Sequence, residues 1–315
     1  MILRLAHVEI TVDDLAQARA FYIDILGFVE HCGDDSTCYL RAADEFDAWS
    51  LKITSGAGGG LVHSGFRVSD PADLDSLQAI HDSLGLATKR IPSGVEPGQG
   101  EALRVLTAEG HRVEFFHDFD EIDLYPGGRL RLPPRGGSGI RGVPPSRIDH
   151  VSMRVPDVPA ALIYWTEQLE FSAAEIWLED DNVTPKVAWV RRAPFSHDVA
   201  LGKHPEAVFH HFAYAVNDGT ALLRAADLLG DAGLQGSIEW GPSRHGATNA
   251  LAMYVHDPAG NRLELYTGDY QRDLDRPTLR WRAVDYESQG HSWWGNGPPE
   301  TFGQTQPLVG DWLVK

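Results

Sequence analysis

Cysteine is nearly absent from this 315-residue chain, which has only Cys32 and Cys38. The two lie too close together for a disulfide framework and in no metal-binding spacing, so cystine staples and Cys-based zinc sites are excluded. No stretch approaches the ~18 consecutive apolar residues of a membrane span. The start, Met1-Ile2-Leu3-Arg4-Leu5, reads as a strand and lacks the apolar segment of a signal peptide. Cations are scarce: 27 Lys+Arg against 45 Asp+Glu give a net charge of −18. Such a surface repels a phosphate backbone, and no long basic run interrupts it, which argues against nucleic acid and membrane partners. The expectation is a cytoplasmic protein whose length suits two domains of ordinary size.

Internal similarity sets the architecture. Ala6-His7-Val8-Glu9-Ile10-Thr11-Val12 parallels Asp149-His150-Val151-Ser152-Met153-Arg154-Val155, each an alternating strand followed by an acidic helix cap. Helices are expected over Ala16 to Leu26 and over Pro159 to Leu169. Gly65-Phe66-Arg67-Val68 parallels Ala213-Tyr214-Ala215-Val216, leading into helices over Pro71 to Leu84 and Thr220 to Leu229. A third pairing joins Gly110 through Phe116 to Gly260 through Tyr266. The chain therefore reads as four tandem βαβββ modules, over roughly 3–58, 60–122, 146–203 and 206–269, in an α+β fold. They form two domains, 1–124 and 146–270, joined by a Gly/Pro/Arg-rich linker at 125–145. A Trp/Pro-rich tail, 271–315, is expected to pack on the second domain.

The densest signal begins at His245-Gly246 and continues through Met253-Tyr254 to Asp257-Pro258-Ala259-Gly260-Asn261-Arg262-Leu263-Glu264. Asp-Pro-Ala-Gly is a turn between two strands. Glu264 is a carboxylate among apolar residues, and a buried carboxylate needs a cation or many donors to stay ionised. His150 and His211 also open strands. Two His and one carboxylate form the facial set that holds non-haem Fe(II) with positions left open, which points to an oxygen-using metalloenzyme. With 14 His in the chain, the competing reading is a set of satisfied structural groups, with Glu264 as an edge-strand charge.

The tandem modules, the His245-to-Glu264 stretch, Trp189 and Ser196-His197-Asp198 together resemble the type I extradiol ring-cleaving dioxygenases of the vicinal oxygen chelate superfamily. Among these, the resemblance is greatest to enzymes acting on homoprotocatechuate (3,4-dihydroxyphenylacetate). It implies that each domain is an incomplete mixed β-barrel and that the second is catalytic. It implies Fe(II), with Mn(II) admissible, on His150, His211 and Glu264, and leaves His210, on the opposite face of its strand, as a supporting residue. His197, His245 and Tyr254 match the catalytic positions, and Trp189, Ser152, Trp240, Arg244 and His291 the substrate-contacting region. The substrates would be a catechol and O2, the product of muconic semialdehyde type, and the assembly a homo-oligomer, on the family pattern a tetramer. The alternatives are an enzyme cleaving homoprotocatechuate itself and, more widely in the superfamily, a metal-dependent lyase or isomerase or a bleomycin-resistance-type binding protein.

Three positions depart from that pattern. Trp240 stands where the family has an arginine, Gln289-Gly290-His291-Ser292 replaces an arginine pair, and Ser152 replaces an asparagine. Loss of the carboxylate-binding arginines leads to the expectation of a catechol with a neutral or apolar substituent. The first half carries its own parallel set, His7, His63 and Glu114, with Arg104 in the place of Tyr254. These are expected to pair with one another or with Arg112, the alternative being a second metal site.

Overall fold

The computed structural model describes residues 1–122, 141–271 and 275–310, so most of the expected linker, 125–140, lies outside the described residues. The first module runs β1 (Ile2–Val12), α1 (Leu15–Arg19), β2 (Val29–Gly33), β3 (Thr37–Arg41) and β4 (Leu51–Ser55). The second runs β5 (Gly60–Val68), α2 (Asp73–Ser83), β6 (Thr88–Ile91), β7 (Ala102–Leu106) and β8 (Arg112–Phe116). The third is β9 (Arg147–Val155), α3 (Val158–Ile163), β10 (Ser172–Leu178), β11 (Pro185–Arg191) and β12 (Val199–Lys203). The fourth is β13 (Val208–Ala215), α4 (Gly219–Asp231), β14 (Ile238–Arg244), β15 (Leu251–His256) and β16 (Arg262–Thr267). The fold is α+β with four βαβββ units, as the repeats predict.

The acidic caps work as read: Asp14 accepts from Gln17 N at the start of α1, and Asp157 from Ala160 N at the start of α3. Both helices are shorter than expected, because each gives way to a π-helical turn, Ala20–Ile25 and Tyr164–Gln168. Adjacent residues of an α-helix point about 100° apart. The widened turns let neighbouring aromatics, Phe21 with Tyr22 and Tyr164 with Trp165, both reach the core.

Modules pair within each half. The first sheet has the order β2-β3-β4-β1-β5-β8-β7-β6. The second has the order β14-β15-β16-β13-β9-β12-β11-β10 and gains β17 (Leu279–Trp281) from the tail. In each half the leading strands of the two modules pair antiparallel at the centre, and each takes its own module's last strand in parallel. The outermost strands of each sheet are not paired with each other, so each barrel stays open.

The tail is an active packing element. Buried Glu175 accepts from Trp281 Nε1 (2.6 Å), which fixes the tail against the second sheet, and also from Tyr270 Oη (2.5 Å) and Thr248 N (2.8 Å). Farther on, Gln306 bridges to Phe209 and Leu308 to Leu61, so the tail touches both halves. One apolar core runs through both halves. Buried polar bonds tie them: Tyr22 Oη donates to Asp257 (3.0 Å), and Asn261 Nδ2 donates to the Thr11 carbonyl (3.0 Å). Among the described residues, no helix is long and apolar enough to cross a membrane.

Candidate active site

Strand alternation on β9 places His150, Ser152 and Arg154 on one face, and all three line a cavity in the second half. The facing strand β13 has a register shift between Phe209 and His211. This irregularity cancels the expected alternation, so His210 lies beside His211 with both at the cavity instead of on opposite faces. Glu264 on β16 stands directly across from Tyr254 on β15.

His150, His211 and Glu264 converge in burial. His150 Nε2 lies 3.0 Å from Glu264 Oε2 and 3.3 Å from His211 Nε2, and His211 Nε2 lies 3.1 Å from the same carboxylate oxygen. Three donors about 2.1 Å from one centre and at right angles would be spaced about 3.0 Å apart, so the set fits a divalent ion. The rest of each ring is committed in a way that frees Nε2. His150 Nδ1 donates to Asp149 (2.8 Å), itself held by Arg147 (2.5 Å). His210 Nε2 donates to the Phe302 carbonyl (2.7 Å), leaving its Nδ1 to accept from His211 Nδ1 (2.5 Å). The tautomers of His150 and His211 are thereby fixed with the Nε2 lone pair inward.

The electrostatics also call for a cation. Burial pulls the His150 imidazolium down, but Glu264 and Asp149 outweigh it and hold its pKa at about 9. Burial likewise raises the Glu264 carboxyl, and the two His outweigh it, keeping it well below the ordinary value. A proton on His150 and a metal between the three donors answer the same negative charge.

Around the triad, the His197 ring lies tilted against that of His150 with centroids 4.0 Å apart, and its Nδ1 joins Ser196 Oγ (2.8 Å), which meets Tyr266 Oη (2.7 Å). Burial and the neighbouring His150 push the His197 imidazole well below its ordinary pKa, so it rests neutral. His245 Nδ1 donates to the His291 carbonyl (2.7 Å), which leaves Nε2 to accept from Tyr254 Oη (3.1 Å). Trp240 lies parallel to Tyr254 at 5.2 Å, its Nε1 donating to the Asn296 carbonyl (2.7 Å). Trp189, Trp177 and Tyr286 form the other aromatic wall. Ser152 and His291 also line the cavity.

Arg244 does not join them. Its guanidinium turns onto the Asn249 and Gly268 carbonyls (2.8 and 3.4 Å), outside the cavity lining. Sequence reasoning missed Trp177, Tyr286, Phe302 and Arg154. The last was signalled by its two-residue period from His150 and Ser152, and it, not Arg244, is the arginine on the cavity lining.

Comparison with known proteins agrees with this geometry. Residues 61–119 match the catechol 2,3-dioxygenase-like N-terminal domain, and residues 147–265 match the glyoxalase/bleomycin resistance protein/dioxygenase superfamily. A metapyrocatechase of Pseudomonas sp. (strain CF600) is 32% identical over 288 residues, covering 90% of this chain and 92% of the relative. The chain belongs to the extradiol dioxygenases of the vicinal oxygen chelate superfamily. A manganese-dependent 2,3-dihydroxybiphenyl 1,2-dioxygenase of Geobacillus genomosp. 3 is 29% identical over 301 residues, covering 93% of this dioxygenase and 94% of the relative. The crystal structure of homoprotocatechuate 2,3-dioxygenase from Arthrobacter globiformis superposes with a TM-score of 0.89 at 33% identity, covering 98% of this chain and 93% of that one. This extradiol dioxygenase cleaves a catecholic ring by the meta route.

Proposed function

We propose that His150, His211 and Glu264 hold Fe(II), with Mn(II) admissible in the same donors, and that His197, His245 and Tyr254 manage the protons of catechol cleavage. The mutual spacing of 3.0, 3.1 and 3.3 Å among three buried donors with fixed tautomers carries this reading. A divalent metal on three protein donors keeps open positions for substrate and acidifies a hydroxyl bound to it. The manganese dependence in the name of one relative supports keeping Mn(II) beside Fe(II).

The protein supplies the rest. His245, with Nδ1 tied to a carbonyl, presents Nε2 as an acceptor for a substrate proton relayed past Tyr254. Neutral His197 faces the other side of the triad, where it takes a proton from the bound substrate or its adduct and returns it to the leaving oxygen. The Ser196–Tyr266 pair fixes its ring. Trp189 and Ser152 flank the ring, and the two aromatic walls exclude water. The same reading carries a cytoplasmic homo-oligomer, tetrameric on the family pattern; the exposed Trp293 and Trp294 offer apolar area for contact between copies.

The test is anaerobic. Metal-loaded protein mixed with catechol and then exposed to O2 should form a yellow ring-fission product. His197→Asn should still bind catechol without O2, yet turn over about 10²-fold more slowly, the usual worth of one general acid–base group. Undiminished turnover in that variant would remove His197 from the chemistry.

A further inference from the structure

We propose that Arg154 determines substrate specificity by receiving an anionic, carboxylate-class substituent on the catechol ring. The proposal rests on the reading of this cavity as the catechol site and deepens it. Arg154 follows His150 and Ser152 on the same face of β9, so its side chain belongs to the part of the cavity farther from the triad. Among the described residues lining the cavity it is the only Lys or Arg, and Glu264, committed to the triad, is the only carboxylate.

What distinguishes Arg154 is the absence of a partner. Buried arginines elsewhere have acidic partners, as Arg104 has in Glu114 (2.8 Å) and Arg262 in Glu239 through Nε and Nη2 (2.6 and 3.0 Å). The Arg154 guanidinium makes no ion pair and no side-chain hydrogen bond among the described residues, although burial pushes its pKa down to about 10. An arginine stays protonated inside a protein, so this is a standing, partly desolvated charge facing the cavity. Neighbouring His210 cannot answer it, because that ring is engaged at both nitrogens. Tyr286 and Tyr254 are close enough to act on it electrostatically, but both are neutral phenols.

The fold makes room for this group. Gly202 on β12 is the register partner of Arg154, and a methyl group there would stand 1.8 Å from Arg154 Nη1. Only glycine leaves the guanidinium its present place. A neutral substituent would leave that charge unpaired, whereas a carboxylate would form a charge-assisted, potentially bidentate pair with five fixed donors. The cation missing at Trp240 is thus supplied from a different strand.

The test compares acid with amide. 3,4-Dihydroxyphenylacetate and 3-(2,3-dihydroxyphenyl)propionate, each beside its carboxamide, separate charge from shape and from simple hydrogen-bond acceptance. In at least one pair the wild-type enzyme should favour the acid at least tenfold in kcat/KM. Arg154→Met should collapse that ratio toward unity, Arg154→Lys should retain part of it, and Gly202→Ala should lower it by displacing the guanidinium. A wild-type ratio near or below one in both pairs, or a ratio unchanged in Arg154→Met, would overturn the proposal. Anaerobic calorimetric titration reads the same ratio as Kd without turnover. Failure to cleave any catechol would therefore count against the ring-cleavage reading, while the acid-to-amide binding ratio still decides Arg154.

Discussion

His7, His63 and Glu114 in the first half stand on strands equivalent to those of His150, His211 and Glu264 in the second, and both groups are spaced closely enough to hold a metal ion, yet their surroundings differ. The difference lies opposite the carboxylate. Across β15 and β16, Glu264 faces the phenol of Tyr254; across β7 and β8, in the same register, Glu114 faces the guanidinium of Arg104. Arg104 Nε and Gln99 Nε2 occupy both oxygens of Glu114 (2.8 and 2.7 Å). His63 Nδ1 lies 3.1 Å from Glu9, which is 3.3 Å from Lys52. Of the partners expected from sequence, His7 and His63 do meet (Nε2 to Nε2, 2.9 Å), whereas Arg112 donates to the carbonyls of Val309 and Gly310. His7 packs between Trp49 and Phe116, and burial first, then His63, drives its pKa to about 3. One half carries its cations covalently, on Arg104 and Lys52. Among the described residues, the other has no Lys or Arg paired with its carboxylate and has a cavity beside it, which leaves room for a metal.

Paired carboxylate deletions should separate these roles most sharply. Glu264→Ala should lose the bound metal and at least about 10³-fold in kcat/KM, because the residual two-His set holds the ion weakly and in the wrong charge state. Glu114→Ala should keep one metal per chain and near-wild-type turnover. It should instead lose roughly 2–4 kcal/mol of stability, since it leaves the Arg104 charge buried with less compensation. Elemental analysis and thermal melts read both. Full metal content in Glu264→Ala would sink the ligand assignment.

A gain-of-site variant is the more demanding test and has a smaller expected effect. Arg104→Tyr gives the first half the residue facing the carboxylate in the second and removes the competing cation. Metal content at saturating Mn(II) should then rise from one toward two per chain, without new ring-cleaving activity, because Trp49, two residues before the first residue of β4, stands where His197 stands before β12. If the content stays at one, Gln99 or the packing of Trp49 and Phe116 also keeps the metal out.

Much of this contrast was legible in the sequence, because it is local. The repeats gave four modules, and the Asp257-Pro258-Ala259-Gly260 turn fixed the register that sets Tyr254 across from Glu264. Arg104 could be read as the replacement for Tyr254 by the same logic. What failed depended on local irregularity or distant packing. Alternation separated His210 from His211, but the shift in β13 brings them together. Arg244 adjoins His245 in sequence and yet turns to the Asn249 carbonyl. The place of the Arg154 guanidinium depends on Gly202, which comes from another strand and is invisible to any local pattern.

The smallest effect concerns pH in metal-stripped protein and tests whether the second triad demands a cation. In the folded state Glu264 and Asp149 hold His150 at about 9, above the ordinary 6.5. A histidine raised on folding stabilises fully below its unfolded pKa, and that contribution fades as pH climbs through the folded value. Glu264 and His7, both depressed, act on the other side: their contributions are present at higher pH and are lost on acidification. An alkaline loss between about pH 6.5 and 9 would therefore mark His150, not the first-half cluster. Its upper limit is about 3 kcal/mol, equivalent to a few degrees in Tm for a chain of this size. Saturating metal should flatten that limb, because a ligating His150 Nε2 has no proton to lose. The measurement is Tm across pH 6–9 with and without metal. A metal-stripped protein whose Tm does not fall over that range would mean that His150 is already neutral there and that the triad's charge is balanced without a cation.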